Sequence, residues 1–333
     1  MRKKEILQTE KSIALIKQSF AAKLSEALNL YPISSPMLVA EGTGINDDLN
    51  GVEKAVSFPV KFLSSNAVIV HSLAKWKRIR LQELELPLYE GILTDMRAIR
   101  ADEAYSPIHS IYVDQWDWEL RIAPHNRCLS YLKAVVRQIY QALRETEAIV
   151  WQELQIAPIL PEAISFIQAE QLLQLYPTLS PKEREQAIVK AHKAVFIIGV
   201  GHPLSDGQPH DSRASDYDDW STATEDEYKG LNGDLLVWHP VLEQAVELSS
   251  MGIRVDKTTL QHQLELTNTT SRTNLLYHQL VLQDQVPLSI GGGIGQSRLC
   301  MFLLRKKHIG EVQVSLWPTA VREQAIQQNL DLL

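Results

Sequence analysis

Ile13, Ile16, Phe20, Leu24 and Leu28 recur at steps of three and four, which predicts an amphipathic helix over residues 5–30. Tyr31-Pro32 and Ser34-Ser35-Pro36 end it, because proline cannot continue a helix and restrains the residue before it. Residues 37–41 read as a strand, and Gly42 to Gly51 as a polar loop carrying Asp47 and Asp48. Alternation over residues 55–72 predicts strands around a turn at Ser64-Ser65-Asn66, followed by a helix over Leu73 to Glu83. Residues 90–119 predict two strands joined by the loop Ala101 to His109. Ile92, Thr94, Met96, Ala98 and Arg100 share one parity. Beyond the loop, Gln115 and Asp117 share a face with Ile111 and Val113, while Trp116 and Trp118 lie on the other. An apolar core would not choose Arg100, Gln115 and Asp117, so that face reads either as a wet functional surface or as a solvent-exposed edge.

The pattern over residues 128–192 is helical, broken at Ala157-Pro158 and Tyr176-Pro177. Ala194 to Val200 is an apolar strand, and Gly201 to Gly230 a polar loop with His202, Asp206, His210, Asp211, Asp216, Asp218 and Asp219. A loop of this length inside a compact domain is usually functional or disordered. Leu235 to Trp238 and Glu243 to Arg254 read as strands, with helices over 256–267 and 270–284. There is no internal repeat, low-complexity segment or flexible linker, so residues 1–333 read as a single α+β domain.

The segment Gly291-Gly292-Gly293-Ile294-Gly295-Gln296-Ser297-Arg298 follows apolar Val286 to Ile290 and leads into apolar Leu299 to Leu304. Strand, glycine turn and a helix with an arginine in its first turn would let backbone approach a flat or phosphorylated ligand. The arginine can stack on a base or pair with phosphate. No Gly-Lys-Ser/Thr follows, which excludes a P-loop. Only 38 residues follow Gly295, too few for the βαβ unit and acidic residue of a dinucleotide fingerprint.

A formal net charge of −7 argues against a broad nucleic-acid surface. The cations of Lys75 to Arg80 read as a solvated helix face. Two cysteines, Cys128 and Cys300, cannot build a disulfide framework, and Cys300 falls in an apolar stretch. No apolar signal segment and no membrane-length run is present, so a cytoplasmic chain is expected. The histidines and acids of the long loop match no familiar zinc spacing and come with no cysteine.

Gly291, Gly293, Gly295 and Arg298 fit Gly-x-Gly-x-Gly-x-x-Arg, which resembles motif 3 of class II aminoacyl-tRNA synthetases. Met96 to Glu103, with Arg100, loosely resembles their motif 2, although Glu103 stands two residues beyond the arginine's neighbour position rather than one. Glu247-Leu248-Ser249-Ser250-Met251-Gly252-Ile253-Arg254 resembles the segment of aspartyl- and asparaginyl-tRNA synthetases that combines a metal glutamate with a substrate arginine. The whole chain then closely resembles the ammonia-dependent asparagine synthetases. Gly51 to Val56, His71 to Arg78, Tyr112 to Glu119, Asp216 to Trp220 and Glu247 to Arg254 carry that likeness.

The resemblance implies a class II synthetase-like antiparallel sheet flanked by helices, a homodimer, and no anticodon-binding domain. It implies ATP, L-aspartate and ammonia as substrates, Mg²⁺ with the ATP, and no nucleic-acid or membrane partner. Arg100 would grip the α-phosphate, and Arg298, with Gly293 and Gly295, the nucleotide. Glu247, with Asp234 as a second candidate ligand, would hold Mg²⁺. Arg254 and Lys77 are candidates for the aspartate α-carboxylate. Ser72, Gln115, Asp117 and Ser250 are candidates for its other polar groups, with Asp117 suited to the α-ammonium. Asp47 and Asp218 are candidates for binding ammonium or taking its proton, and the sequence does not order them. Two other readings stay open: an aspartate-adenylating ligase with another acceptor, and an inactive paralogue that binds an amino acid or nucleotide.

Overall fold

The computed structural model describes residues 2–49, 53–224 and 227–333. Gly51 and Val52 of the first quoted segment lie outside them. In chain order the elements are α1 (Arg2–Leu28), β1 (Leu30–Ile33), β2 (Leu38–Ala40), β3 (Ser57–Phe58), β4 (Ala67–Ile69), α2 (Ala74–Glu83), β5 (Gly91–Ile99), β6 (Tyr112–Arg121) and α3 (Leu129–Leu154). There follow β7 (Ser165–Gln168), α4 (Ala169–Leu175), α5 (Pro181–His192), β8 (Ala194–Ile198), β9 (Asn232–His239) and β10 (Gln244–Ile253). The chain closes with α6 (Lys257–Leu266), α7 (Leu276–Leu282), β11 (Ser289–Gly295), α8 (Gln296–Leu303) and α9 (Thr319–Gln327).

Eight strands form one sheet in the order β1-β5-β6-β11-β10-β9-β8-β7. The six inner strands pair antiparallel, and β1 and β7 each add a parallel edge. The expected antiparallel sheet is therefore mixed at both margins. A small sheet, β2-β4-β3, stands apart.

Strand β6 shows how side-chain period 2 builds the molecule. Trp116, Trp118 and Leu120 point into the main core, where α1, α3 and α8 bring Phe20, Leu132, Val136 and Leu299. Phe20 meets Trp116 with ring centroids 4.7 Å apart. At the rim of that contact Lys17 reaches Asp114 at 2.8 Å, and Asp114 accepts the Ser297 N–H in the first turn of α8. The opposite face of β6 carries Gln115, Asp117 and Glu119. It is covered by α2 and the loops, which leaves room for a cleft.

Two expectations change here. Residues 165–168 form a strand inside the stretch read as helical: Ser165, Phe166 and Ile167 pair parallel with buried Val195, Phe196 and Ile197, and that pairing overrides a short ambiguous pattern. The glycine run does not turn; it is strand β11 itself, paired on both sides, and the helix starts at Gln296.

Because Phe20 is fully buried against Trp116, Phe20→Ala should lower stability by about 3–5 kcal/mol, read as a fall in the urea unfolding midpoint.

Candidate active site

The glycines of β11 explain the cleft. Antiparallel pairing sets Gly291 opposite Glu119, Gly293 opposite Asp117 and Gly295 opposite Gln115. Directly opposed residues share a face, so Glu119 leans over the bare α-carbon of Gly291 and Gln115 and Asp117 over that of Gly293, while Arg298 packs on Gly295. A methyl at Gly291 would lie 2.0 Å from Glu119 Oε2 and 2.6 Å from Arg254 Nη2. One at Gly293 would lie 2.6 Å from Gln115 Oε1. The motif is thus a lane of alternate glycines beneath a row of functional side chains, and Gly292, of the other parity, would strike Met251 instead.

Over this lane opens a cleft of about 630 Å³, lined by Asp47, Ser72, Lys77, Arg100, Gln115, Asp117, Asp218, Glu247, Ser250, Arg254, Gly293, Gly295 and Arg298 among others. Glu247 and Ser250 are three apart on β10 yet both reach it, because the register of β10 with β9 shifts at a bulge between Glu247 and Ser249.

Helix α2 supplies buried cations, against the expectation of a solvated face. Lys75, Lys77 and Arg78 are all at most 1% exposed. Lys75 Nζ pairs with Asp216 at 3.0 Å, and Arg78 donates to the carbonyls of Pro287 and Val255. Lys77 Nζ donates to Asp117 at 2.6 Å and to the Gly292 carbonyl at 3.0 Å. Burial pushes the Lys77 ammonium below its ordinary range, and Asp117 and Glu119 oppose that shift. A charge removed from water must find partners of this kind.

Arg254 is buried at the floor. Its Nε and Nη2 donate to Glu119, which also accepts from Ser289 Oγ at 2.7 Å, and its Nη1 donates to Asp218. Burial alone would raise Glu119, but the charge and hydrogen bonds of Arg254 outweigh it and hold the carboxyl below its ordinary range. Asp218 goes the other way: burial raises it despite Arg254 and Arg213. Arg254 also lies 5.7 Å from the Tyr217 ring centroid.

At the other end of the cleft Arg100 donates weakly to the His71 carbonyl, and its buried Nε has no acceptor among the described residues. Arg298 donates to the Glu247 carbonyl at 3.1 Å and stands 4.0 Å from its carboxylate. His109 lines the space with both arginines nearby, and burial and then those charges hold its imidazole down to about 4. Its Nδ1 is hydrogen-bonded to Ser106 Oγ at 2.7 Å.

Asp234 does not line the open cleft. It sits on β9 beside it, bound by the buried guanidinium of Arg213. Burial, and next to it the charge of Glu247 set against that of Arg213, lift its carboxyl to about 6. Asp47 accepts from Ser72 Oγ at 2.9 Å and from the Leu49 N–H. The other expected site residues converge on the cleft. Sequence reasoning missed Glu119, Arg213 and His109. Glu119 was within reach, since it continues the parity of Gln115 and Asp117; Arg213 and His109 lie in loops, where no period marks which side chains turn inward.

A family model described as aspartate-ammonia ligase matches residues 7–329. An aspartate–ammonia ligase of Parabacteroides distasonis is 54% identical over 98% of this chain and 95% of its own. One of Malacoplasma penetrans is 51% identical over 98% of each. In structure, asparaginyl-tRNA synthetase of Entamoeba histolytica in complex with asparaginyl-adenylate matches with a TM-score of 0.66 at 14% identity, over 93% of this chain and 66% of its own. The enzyme of Pyrococcus horikoshii, also with asparaginyl-adenylate, matches at 0.66 and 16% identity, over 93% and 70%. The fold is therefore that of class II synthetases.

The low His109 value has a consequence for stability. The unfolded chain takes up a proton near 6.5 that the native imidazole refuses until about 4, so stability falls as pH drops through that window. His109→Gln should reduce this loss, measured as the difference in urea midpoint between pH 7 and pH 5. An equal loss in both proteins would show that His109 is not held neutral.

Proposed function

We infer the roles of the cleft residues from one premise: this chain belongs to the aspartate–ammonia ligase family. It is an enzyme that makes L-asparagine from L-aspartate, ammonia and ATP through β-aspartyl-AMP, releasing AMP and pyrophosphate. A carboxylate does not react with ammonia at neutral pH, because its oxygen is a poor leaving group; joining it to AMP supplies a good one.

In the reading proposed here, a β-carboxylate oxygen attacks the α-phosphorus and the bond to pyrophosphate breaks. Arg100 stabilises the charge that develops there, and its unpartnered Nε is a donor ready for phosphate oxygen. Arg298, rising from the first turn of α8, stacks on adenine or pairs with the triphosphate across Gly293 and Gly295. Glu247, with Asp234, would hold the Mg²⁺ that accompanies ATP: two carboxylates are the hard oxygen ligands it takes, and their repulsion is what a cation relieves. Bound there, the ion would neutralise triphosphate charge.

Lys77 and Arg254 take the α-carboxylate of aspartate, and Asp117 its α-ammonium. Ser72, Gln115 and Ser250 supply neutral hydrogen bonds. Asp47 and Asp218 face the ammonium, and one of them takes its proton. Ammonia then attacks the activated carbonyl, the C–O bond to AMP breaks, and a second proton leaves the nitrogen for water. On this reading the described residues work as one catalytic domain, in the cytoplasm and as a homodimer. Edge strand β1, which pairs only with β5 among the described residues, is open to a second copy. No helix of the described residues is long and apolar enough to cross a membrane.

The observation that carries this assignment is the meeting of Arg100, Arg254 and Arg298 with Asp218 and Glu247 on one cleft. Its test is formation of asparagine and AMP from ATP, Mg²⁺ and L-aspartate, with ammonium or glutamine as nitrogen donor. Ammonium-dependent asparagine with equal AMP is expected, while pyrophosphate exchange without asparagine would point to another acceptor. Arg298→Ala should reduce aspartate-dependent pyrophosphate exchange at least 100-fold, about 2.7 kcal/mol of transition-state stabilisation; unchanged exchange would remove Arg298 from the nucleotide site.

A further inference from the structure

Arg254 is held unequally by its two carboxylate partners. Glu119 grips Nε and Nη2, accepts a further hydrogen bond from Ser289 Oγ, and has Lys77 Nζ at 3.9 Å. Asp218 holds only Nη1, and among the described residues that is the one hydrogen bond its carboxylate makes. The Asp218 backbone, by contrast, is pinned: its carbonyl accepts from Gln263 Nε2 at 3.0 Å, and the flanking residues pair with Ile253 and Val255. Its carboxylate lies over the bare α-carbon of Gly252, where a methyl would come within 2.8 Å of Oδ1. A change at Asp218 is therefore a rotation of one side chain and needs no movement of the loop.

A guanidinium binds a second carboxylate best through both of its terminal nitrogens. With the Nε edge of Arg254 closed by Glu119, an incoming carboxylate must take the Nη1 end, which Asp218 occupies. Two carboxylates cannot share that position cheaply in a buried site, and the weaker tie yields. The displaced Asp218 is then a buried anion that has lost its paired cation and faces the same cleft, since Arg213, the other cation that acts on it, is held by Asp234.

We propose that the α-carboxylate of aspartate displaces Asp218 from Arg254 and thereby turns Asp218 into the ammonium site, so that the two substrates bind cooperatively. The inference rests on the assignment of the α-carboxylate to Arg254 given above, and it chooses Asp218 over Asp47. Ammonium is the cation that repairs the stranded carboxylate. It then gives Asp218 one proton, and the lone pair so freed on nitrogen forms the C–N bond as the C–O bond to AMP breaks. Coupling of this kind is reciprocal: whatever aspartate does for ammonium affinity, ammonium does for aspartate affinity.

The sign of one measurement separates this from a merely structural role. In pyrophosphate exchange without ammonium, Asp218→Asn removes a competing carboxylate, so the KM for aspartate should fall three-fold or more. If Asp218 only orients Arg254, KM rises; an unchanged or raised KM overturns the proposal. The wild-type enzyme gives a second test that does not depend on the variant folding. Aspartate is titrated in the presence of α,β-methylene-ATP, with ammonium chloride or sodium chloride at equal ionic strength. Ammonium should tighten aspartate at least three-fold, and equal dissociation constants would overturn the coupling while leaving the activity intact. Absence of aspartate-dependent exchange in the wild type would instead strike the underlying assignment.

Discussion

The buried pairing of Arg254 with Glu119 is the contact on which the site's architecture depends. Both groups are almost wholly removed from water, so each is tolerable only because the other is there, and loss of either would leave an uncompensated charge in the core. That requirement fixes the strands around it. Glu119 must point to the cleft face of β6, which sends Trp118 and Leu120 into the core. Gly291, opposite it, must lack a side chain, since the pair occupies the space where one would be. Ser289, two residues earlier on the same strand, completes the carboxylate's hydrogen bonds.

From that anchor the other charges are placed by proximity. Lys77 sits between Asp117 and Glu119 and ties α2 to β11 through the Gly292 carbonyl. Asp216 does similar work further out: it gathers Lys75, Arg272 and His278 from three separate elements, and Arg272 reaches on to Asp48. The described residues of the long loop between β8 and β9 form no α-helix and no strand of the main sheet, and their hydrogen bonds run to side chains and to neighbouring strands. Gln263 donates to Ser215 and Asp218, and Arg127 binds Asp219 and the Arg254 carbonyl. A loop held this way can carry catalytic groups with the precision of a strand.

Much of this was legible in the sequence, and what was not follows from the length scale of the signal. Period 2 separated Trp116 and Trp118 from Gln115 and Asp117 correctly, and the helical period located α1 to within a few residues. The glycine run was legible as a ligand-approach motif but misread as a turn, because spacing alone does not say whether bare α-carbons serve a bend or lie beneath side chains of a neighbouring strand. Only the register of β11 on β6 decides that. Lys77 was named as a substrate candidate, but the burial of the α2 cations as a group was missed for a related reason. Lysine and arginine are ordinarily solvated, and their partners Asp117, Asp216 and the Pro287 and Val255 carbonyls are 40 or more residues away. Glu247 and Ser250 were both named through the family resemblance, although their spacing of three would send them to opposite faces of a regular strand; the bulge in β10 is what brings them to one cleft.

The charge inventory at the cleft floor gives the same site a direction. With Arg213 matched by Asp234, Lys77 and Arg254 face three carboxylates, Asp117, Glu119 and Asp218, so the cluster carries one net negative charge. Arg254 holds Glu119 through two nitrogens and draws its carboxyl below its ordinary range, whereas burial raises Asp218 despite its single tie to the same arginine. Aspartate's α-groups add one charge of each sign and leave the excess in place. A monovalent cation removes it, and in this reaction that cation is also the nitrogen donor. On the proposed reading the surplus carboxylate is therefore a vacancy of charge that the second substrate fills. A neutral residue at position 218 would satisfy the resting cluster at least as well, and it would leave ammonium nothing to bind.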